Sequence, residues 1–222
     1  MADKETRSGA RPVGRDVLQY ADELHAGLDD ALRRAFDAAD GDDIPAIQLG
    51  WSEARLVELL MKLIGARRVV EIGTLAGFSA IRIARGLAPD GHLWTIESDR
   101  HHAAVAEANI LAAGLQDRVT VVAGAALDVL PRLEAHGPFD AVFIDADKQN
   151  YDKYGEWAAR NTRPGGLLLG DNAYYFGKLL DLKDAGAAAM RAFHEHARDH
   201  YETVCIPTPD GMLLGIRRAA AE

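Results

Sequence analysis

Apolar residues follow two different spacings that alternate between Arg68 and Gly170. Short apolar runs bounded by turn residues predict β-strands, and apolar positions that recur every three or four residues predict amphipathic helices. The predicted strands are Arg68–Ile72, His92–Glu97, Arg118–Val122, Phe139–Asp145 and Gly166–Gly170. The predicted helices between them are Phe78–Leu87, His101–Ala113, Ala125–Ala135 and Tyr151–Asn161. This alternation predicts an α/β fold, in which a parallel sheet carries helices on both faces.

The segment before the first strand predicts further helices. Apolar residues recur at helical spacing from Asp16 to Ala39, which predicts an amphipathic helix with a break near Gly27. After a polar loop, Ser52 is expected to cap a second helix that opens at Glu53. The pattern leaves open whether the first of these helices covers a ligand or contacts another chain.

The two ends of the chain differ in pattern. Residues 1–13 have no periodic apolar face and are expected to be flexible, so we expect a single domain over 14–222. Near the other end, a helix is expected around Ala185–Arg198. The β-type runs Thr203–Ile206 and Met212–Ile216 then flank a Pro-Asp-Gly turn, which predicts an antiparallel hairpin that completes the sheet.

Composition narrows the possible functions. Among 222 residues, 34 are acidic and 25 basic, with no Lys/Arg cluster that could follow a phosphate backbone. No apolar run is long enough to span a membrane, and residues 1–15 lack the apolar core of a secretion signal. Cys205 is the only cysteine, which excludes an internal disulfide. We therefore expect a cytoplasmic protein that binds small molecules, with neither nucleic acid nor membrane as a partner.

A glycine-containing turn joins the first strand to the next helix. Gly73 and Gly77 let the backbone pass close to a ligand, and the helix start offers free N–H groups, with Ser79 as a further donor. Glu97 ends the following strand, where a carboxylate can accept both hydrogen bonds of a ribose diol. The turn could also serve strand–helix packing alone. With Glu97 in place, a ribose-containing cofactor is the preferred interpretation.

The glycine spacing separates the possible cofactors. G-x-x-x-G differs from the G-x-G-x-x-G of dinucleotide-binding turns, and no Gly-Lys-Ser/Thr of a P-loop is present. Glu71 within the turn would repel a diphosphate but suits a cationic ligand. S-adenosylmethionine (SAM) carries a sulfonium and a ribose and meets both conditions. A nicotinamide-dependent oxidoreductase of Rossmann type and a non-catalytic SAM-binding protein are the alternatives.

Oxygen-bearing side chains follow two predicted strands. Asp145 ends one strand, and Asp171 and Asn172 end the next. If the strands are parallel neighbours, these three side chains meet at one sheet edge and suit a divalent cation such as Mg²⁺ or Ca²⁺. Asp171 and Asn172 could instead cap a turn. Lys148 lies three residues after Asp145 and is a potential base, with an exposed position or a salt bridge to Asp147 or Asp152 as its alternative.

These motifs together resemble the cation-dependent class I O-methyltransferases, which include catechol and caffeoyl-CoA O-methyltransferases. The resemblance covers about Ile47 to Arg217. It rests on Val-Glu-Ile-Gly-Thr-Leu-Ala-Gly-Phe-Ser at 70–79, Thr-Ile-Glu at 95–97, Phe-Ile-Asp-Ala-Asp-Lys at 143–148 with Tyr151, Arg-Pro-Gly-Gly at 163–166, Asp-Asn at 171–172 and Asp-Gly-Met-Leu-Leu at 210–214.

The resemblance implies a Rossmann-like fold with a mostly parallel, seven-stranded sheet, and it implies roles for individual residues. The expected SAM contacts are Glu71, Gly73, Thr74, Gly77, Ser79, Glu97, Ala126 and Asp145. The expected metal ligands are Asp145, Asp171 and Asn172, and Lys148 is the expected base. The implied cation is Mg²⁺, with Ca²⁺ or Mn²⁺ as alternatives, and the implied assembly is a homodimer.

The implied reaction is methyl transfer from SAM to a hydroxyl of a catechol-like, vicinal dihydroxy aromatic molecule or of its coenzyme A ester. The chain departs from the family pattern at Phe78, where Tyr is usual, and at Ala54, where Gly is frequent. Tyr174, Tyr175 and Phe176 replace an aliphatic-Trp pattern after Asn172. These three aromatic residues either serve ordinary packing or form a wall for the acceptor.

Overall fold

The computed structural model describes residues 13–38, 41 and 43–219 and contains a seven-stranded sheet. The strands are β1 (Arg68–Ile72), β2 (His92–Glu97), β3 (Val119–Ala123), β4 (Phe139–Ile144), β5 (Thr162–Gly170), β6 (Tyr201–Ile206) and β7 (Met212–Arg217). Their order is β3-β2-β1-β4-β5-β7-β6. The first five strands in this order pair in parallel, and β7 runs antiparallel to both β5 and β6. The predicted sheet and its terminal hairpin are confirmed.

The described residues form eight α-helices. They are α1 (Arg15–His25), α2 (Asp30–Asp37), α3 (Trp51–Ile64), α4 (Phe78–Gly86), α5 (Arg100–Ala112), α6 (Ala126–Leu133), α7 (Tyr151–Asn161) and α8 (Ala185–His200). The break expected near Gly27 is real and separates α1 from α2. The predicted end of that region at Ala39 and most of the predicted flexible segment 1–13 lie outside the described residues.

Some bounds of the predicted elements are wrong, and strand β6 begins at Tyr201, two residues earlier than predicted. Helix α3 begins at Trp51 with Gly50 as its N-cap, and the Gly50 N–H donates to Glu53 Oε2 at 3.0 Å. Ser52 is therefore not the cap, and its hydroxyl donates instead to Asp22 of α1. Strand β5 starts at Thr162, four residues earlier than predicted, because Thr162 pairs with Phe139 ahead of a register shift.

The sheet has a hydrophobic cluster on each face because successive strand residues point in opposite directions. Val69 belongs to a cluster that includes residues of α2, α3, α4 and α5, whereas Val70 belongs to one that includes residues of α6, α7 and α8. Both valines are fully buried. Because helices cover both faces of the sheet, side chains on both sides of the central strands are apolar, which explains the continuous apolar runs in their sequences. Within the described residues, no helix has the length and apolar character that a membrane crossing would need.

Candidate active site

A cavity of about 830 Å³ opens at the carboxyl ends of the parallel strands. Its wall combines the turn after β1, the end of β2, the start of α6 and the loop after β4. A segment between α2 and α3, residues 45–49, forms another part of the wall. In open α/β sheets, ligands bind outside the carboxyl ends of the strands where the strand order reverses. Here that reversal lies between β1 and β4, beside the cavity.

The glycine turn, residues 73–77, follows β1 and is shaped by a close approach to β4. Gly73 has φ +97°, and a Cβ atom at this position would collide with the carbonyl oxygen of Asp145. Glu97 Oε2 accepts the N–H groups of Thr74 at 3.2 Å and Leu75 at 2.9 Å. The carboxylate of Glu97 therefore holds the turn in shape while it also borders the cavity.

Glu71 is fully buried beneath the turn. The Thr95 hydroxyl donates to Glu71 Oε2 at 2.6 Å and lies 2.6 Å from the Thr74 hydroxyl. Burial raises the pKa of Glu71 to about 8 against the opposing effect of the Ser79 and Thr95 hydroxyls. The ligand-free Glu71 therefore keeps a proton near neutral pH, and a cationic ligand at the cavity would favour its carboxylate form.

Asp145, Asp171 and Asn172 meet at the ends of the neighbouring strands β4 and β5, as predicted. Asp171 is 5% exposed, and its Oδ1 has no hydrogen-bond partner among the described residues. Burial, followed by the negative charge of Asp145, raises the pKa of Asp171 to about 7. Two close carboxylates, one with an unpartnered buried oxygen, suit a hard divalent cation.

The third oxygen of this group belongs to Asn172, at φ +55°. The part of the chain that the structure describes contains no cluster of three His, Cys, Asp or Glu side chains arranged to hold a metal ion. A cation site here would therefore depend on the amide oxygen of Asn172 in addition to two carboxylates. Amide and carboxylate oxygens are ligands that Mg²⁺ and Ca²⁺ accept.

The Lys148 ammonium lies beside Asp145, one of these three oxygen-bearing side chains. The ammonium donates to Asp145 Oδ1 at 3.1 Å and to the Tyr151 hydroxyl at 3.0 Å. The Tyr151 hydroxyl also lies 3.1 Å from the carbonyl oxygen of Ile144 and 3.0 Å from that of Asp171. Burial, followed by the charges of Asp145 and Asp171, raises the pKa of Tyr151 well above its ordinary value. Tyr151 therefore stays a neutral phenol that links Lys148 to the end of β5.

The three aromatic residues after Asn172 make different contacts. Phe176 lines the cavity and is 57% exposed. The Tyr175 hydroxyl donates to Asp184 Oδ1 at 2.9 Å, and Asp184 in turn caps α8. A Cβ atom on Gly211 would lie 2.6 Å from the Tyr174 ring, so this glycine makes room for the tyrosine. Of the three aromatic residues, Phe176 is the one placed to contact an acceptor.

Comparison with known proteins identifies the family. The family model described as O-methyltransferase matches residues 22–218. The chain belongs to the O-methyltransferase family. This methyltransferase is 44% identical over 191 residues to the catechol O-methyltransferase of Mycobacterium tuberculosis, an alignment that covers 86% of each protein.

Two solved structures support the same assignment. The O-methyltransferase from Bacillus cereus, in complex with SAH, is 34% identical with a TM-score of 0.88, and the match covers 91% of this chain and 97% of that one. TomG from Streptomyces achromogenes, in complex with SAM, is 35% identical with a TM-score of 0.86, and coverage is 92% and 96%. The predicted SAM-dependent O-methyltransferase is confirmed, and the oxidoreductase and non-catalytic alternatives are set aside.

The methyltransferase brings most of the predicted site residues to one cavity. The predicted residues in its wall are Gly73, Thr74, Ser79, Glu97, Ala126, Asp145, Lys148 and Asn172. Glu71 and Asp171 lie buried just behind the wall. Gly77 starts α4 and faces Ala106 of α5, so its place is between two helices.

Other wall residues were not predicted from the sequence. Asp99 and His102 follow β2, Asp210 precedes β7, and the segment 45–49 covers the cavity from the opposite side. Asp99 could have been found, because it caps α5 immediately after the predicted strand end at Glu97. The segment 45–49 carries no pattern that marks a ligand wall, and only the packing of α2 and α3 places it there.

The alternative partners expected for Lys148 are not the ones observed. Its ion pair is with Asp145, and Asp147 instead accepts a hydrogen bond from the Tyr154 hydroxyl. The difference follows from the short helical turn Lys148–Asn150, which carries the lysine back over the end of β4. Lys148 is therefore attached to a predicted metal ligand, and not to the surface.

Proposed function

We propose that this methyltransferase transfers the methyl group of SAM to one hydroxyl of a vicinal dihydroxy aromatic molecule, with the help of a divalent cation. The observation that carries the proposal is the unpartnered Oδ1 of buried Asp171 beside Asp145. Lys148, bound to Asp145, stands at the same point of the cavity. Mg²⁺ is the expected cation, and Ca²⁺ and Mn²⁺ are alternatives.

The donor half of the cavity is proposed to hold SAM. Gly73, Thr74 and Ser79 would approach the amino-acid end, and Ala126 at the start of α6 would border the adenine. Glu97 Oε2 accepts two backbone N–H groups, which use both of its lone-pair directions, and Oε1 accepts the Asp99 N–H at 2.9 Å. A ribose hydroxyl would therefore bind Oε1, where the contact with the Ser98 hydroxyl is long, at 3.4 Å. A bound sulfonium would favour the carboxylate form of the buried Glu71, which would then attract the sulfonium in turn.

The acceptor half lies between Lys148 and Phe176. When bound, SAM supplies a methyl group on a sulfonium, and a divalent cation supplies Lewis acidity toward the acceptor hydroxyls. Asp145, Asp171 and Asn172 would hold that cation. Lys148 Nζ is proposed to act as a neutral amine that takes the proton of the reacting hydroxyl and so becomes an ammonium, and Tyr151 keeps this nitrogen at the cavity edge. Holding the reacting groups in the productive geometry can lower the barrier by about 7 to 11 kcal/mol in the best cases.

The acceptor class is proposed as a catechol. The exposed ring of Phe176 offers an apolar surface beside the oxygen-rich group at Lys148. The similarity to a protein named catechol O-methyltransferase supports this choice. A coenzyme A ester of a dihydroxy aromatic acid is the second acceptor class.

We also propose that each chain folds as one domain over residues 14–222. Two such chains are proposed to form a homodimer. Helix α1 has no buried residue, and Val17, Leu18, Tyr20 and Leu24 on it are between 48% and 68% exposed. Leu63 on α3 is 81% exposed. Apolar surface of this extent supports contact with a second copy. Size-exclusion chromatography with light scattering tests the assembly.

A cytoplasmic location stays a prediction.

Mass analysis of methyl transfer to a panel of catechols, with SAM as donor, tests the reaction. We expect a mass gain of one methyl group in Mg²⁺ and its loss in chelator, with recovery when Mg²⁺ is returned. Matched monophenols and coenzyme A esters of dihydroxy acids separate the acceptor classes. Equal activity in chelator and in Mg²⁺ would show that the cation is not part of the reaction.

A further inference from the structure

A buried asparagine joins the glycine turn to an N-terminal helix. Asn109, on α5, is 3% exposed. Its Nδ2 donates to the carbonyl oxygen of Ala76 at 3.0 Å, and its Oδ1 accepts from Arg34 Nε of α2 at 3.0 Å. Ala76 lies in the cavity wall. The amide of Asn109 therefore connects a ligand-facing turn with a helix whose Arg34 lies 75 residues before Asn109 in the chain.

The turn is held from two sides. On the sheet side, Glu97 accepts the N–H groups of Thr74 and Leu75. On the helix side, Asn109 binds the carbonyl of Ala76. Leu75, between the two attachments, has φ +50°, which is unfavourable for a branched side chain without glycine's freedom. A turn in this conformation depends on its surroundings to stay in it.

Helix α2 supports both the turn and the opposite cavity wall. Ala38 and Ile44, which follow α2, pack with Ala76 in one small apolar cluster. The Gln48 amide, in the wall segment 45–49, donates to the carbonyl of Phe36 on α2 at 2.8 Å. The same helix thus positions surfaces on two sides of the donor cavity.

We infer that Asn109 is a positioning residue for SAM binding, and that Arg34 couples the docking of α2 to the donor-binding turn. Asn109 acts through the carbonyl of Ala76 and itself lies outside the cavity wall. Removing its N–H donor releases one side of the turn, while the sheet-side attachment by Glu97 remains. The inference rests on the proposed function, in which the glycine turn contacts SAM.

Asn109→Asp tests the first part. The carboxylate can still accept from Arg34 but cannot donate to Ala76, so the substitution keeps one hydrogen bond and removes the other. We expect the Kd of SAM and of SAH, measured by calorimetry, to rise about tenfold, as loss of a buried hydrogen bond predicts. The rate at saturating SAM should change less than about threefold, since the catalytic groups are untouched.

Asn161→Asp is the matched control. Asn161 Nδ2 also donates to a backbone carbonyl, that of Trp157, at 2.9 Å, but at the end of α7 and away from the cavity. We expect its SAM affinity to stay within about twofold of wild type. Equal SAM affinity in the Asn109 and Asn161 variants, or a lowered rate at saturation with unchanged affinity, would overturn the positioning role.

Arg34→Met tests the coupling in a variant that preserves Asn109 and can be made even if Asn109→Asp folds poorly. Arg85→Met is its control, because Arg85 also binds α2, through Asp29 at 2.8 Å, without touching Asn109. We expect Arg34→Met alone to weaken SAM binding, by about threefold or more, and to speed amide exchange in residues 73–77. Equal SAM affinity in the two variants would refute the coupling. Absence of SAH binding by the wild-type protein would instead refute the proposed donor site.

Discussion

The Lys148 ammonium and the Tyr151 hydroxyl lie 3.0 Å apart, at the boundary between the cavity and the core. Tyr151 is fully buried, whereas Lys148 lines the cavity. The ammonium also lies 4.8 Å from the centre of the Tyr151 ring. The tyrosine therefore fixes the position of the lysine with both its hydroxyl and its ring, and joins it to the carbonyl at Asp171.

Tyr151→Phe should lower the rate of methyl transfer about tenfold. The Lys148 ammonium loses a polar contact, and the backbone carbonyl oxygen of Asp171 loses a hydrogen-bond donor. The ring remains, so the contact with the ammonium is partly kept. Tyr201→Phe removes the same atom from a second buried tyrosine, on β6 and away from the cavity. Single-turnover rates of both variants in Mg²⁺ check the prediction. Equal rates for the two variants would exclude a role for the Tyr151 hydroxyl.

Lys148→Ala should lower the rate at saturating substrates by about a hundredfold or more, because a positioned base contributes roughly 10²- to 10⁴-fold in typical enzymes. The rate should also lose its dependence on the ionisation of this base. Lys153→Ala is the control, since Lys153 is exposed and binds Asn150 at 2.7 Å, on the outer side of α7. Rates measured against pH distinguish the variants. Full activity of Lys148→Ala toward a catechol would exclude the lysine as base.

The predictable part of the site follows from the geometry of parallel strands. Asp145 and Asp171 could be brought together from the sequence, because each ends an apolar strand and the carboxyl ends of parallel strands share one edge. Gly73 and Glu97 were predictable for the same reason. Local pattern and strand direction thus suffice for groups that lie at strand ends.

The remaining contacts depend on tertiary packing that sequence spacing does not contain. Asn109 occupies an ordinary helical position, and only the packing of α5 against the turn directs its amide to Ala76. Tyr151 was noted as part of a motif, yet its link to Asp171 requires the observed placement of α7 beneath β5. Ser52 is a residue type that often caps helices, but Gly50 is the cap, because helix α3 begins at Trp51, two residues earlier than predicted, and Glu53 accepts the Gly50 N–H.

Asp171→Asn should raise the Mg²⁺ concentration for half-maximal activity by about tenfold or more, because it removes a ligand charge from the proposed cation site. Asp99→Asn is the control, since Asp99 also borders the cavity but follows β2, which β1 separates from β4 and β5. Activity titrated with Mg²⁺ after chelator treatment measures the effect. An unchanged Mg²⁺ requirement in Asp171→Asn would contradict the ligand assignment.

Phe176→Ala should raise KM for the acceptor about tenfold and leave KM for SAM unchanged, because the ring lines only the proposed acceptor half. The ratio of the two monomethylated catechol products should move toward equality. Leu180→Ala removes a nearby side chain that is 83% exposed and outside the cavity wall. Chromatography of the products measures the ratio for each variant. Identical ratios and KM values for Phe176→Ala and wild type would remove Phe176 from the acceptor site.

Glu71 should make the stability of the ligand-free enzyme depend on pH. Its pKa is about 8 in the folded protein against an ordinary 4.5, so the folded state keeps a proton that the unfolded state has lost. Stability attributable to Glu71 therefore falls as pH rises from about 4.5 and stops falling above about 8.

Glu71→Gln removes this ionisation and keeps an acceptor for the Thr95 hydroxyl. The variant should gain stability over wild type by roughly 1 kcal/mol per pH unit within that window. Urea unfolding at several pH values between 5 and 9 measures the difference, with exposed Glu107→Gln as control. A difference that is constant with pH would mean that Glu71 titrates alike in both states. The burial of Glu71 would then impose no free-energy cost on its charged form that a bound sulfonium could offset.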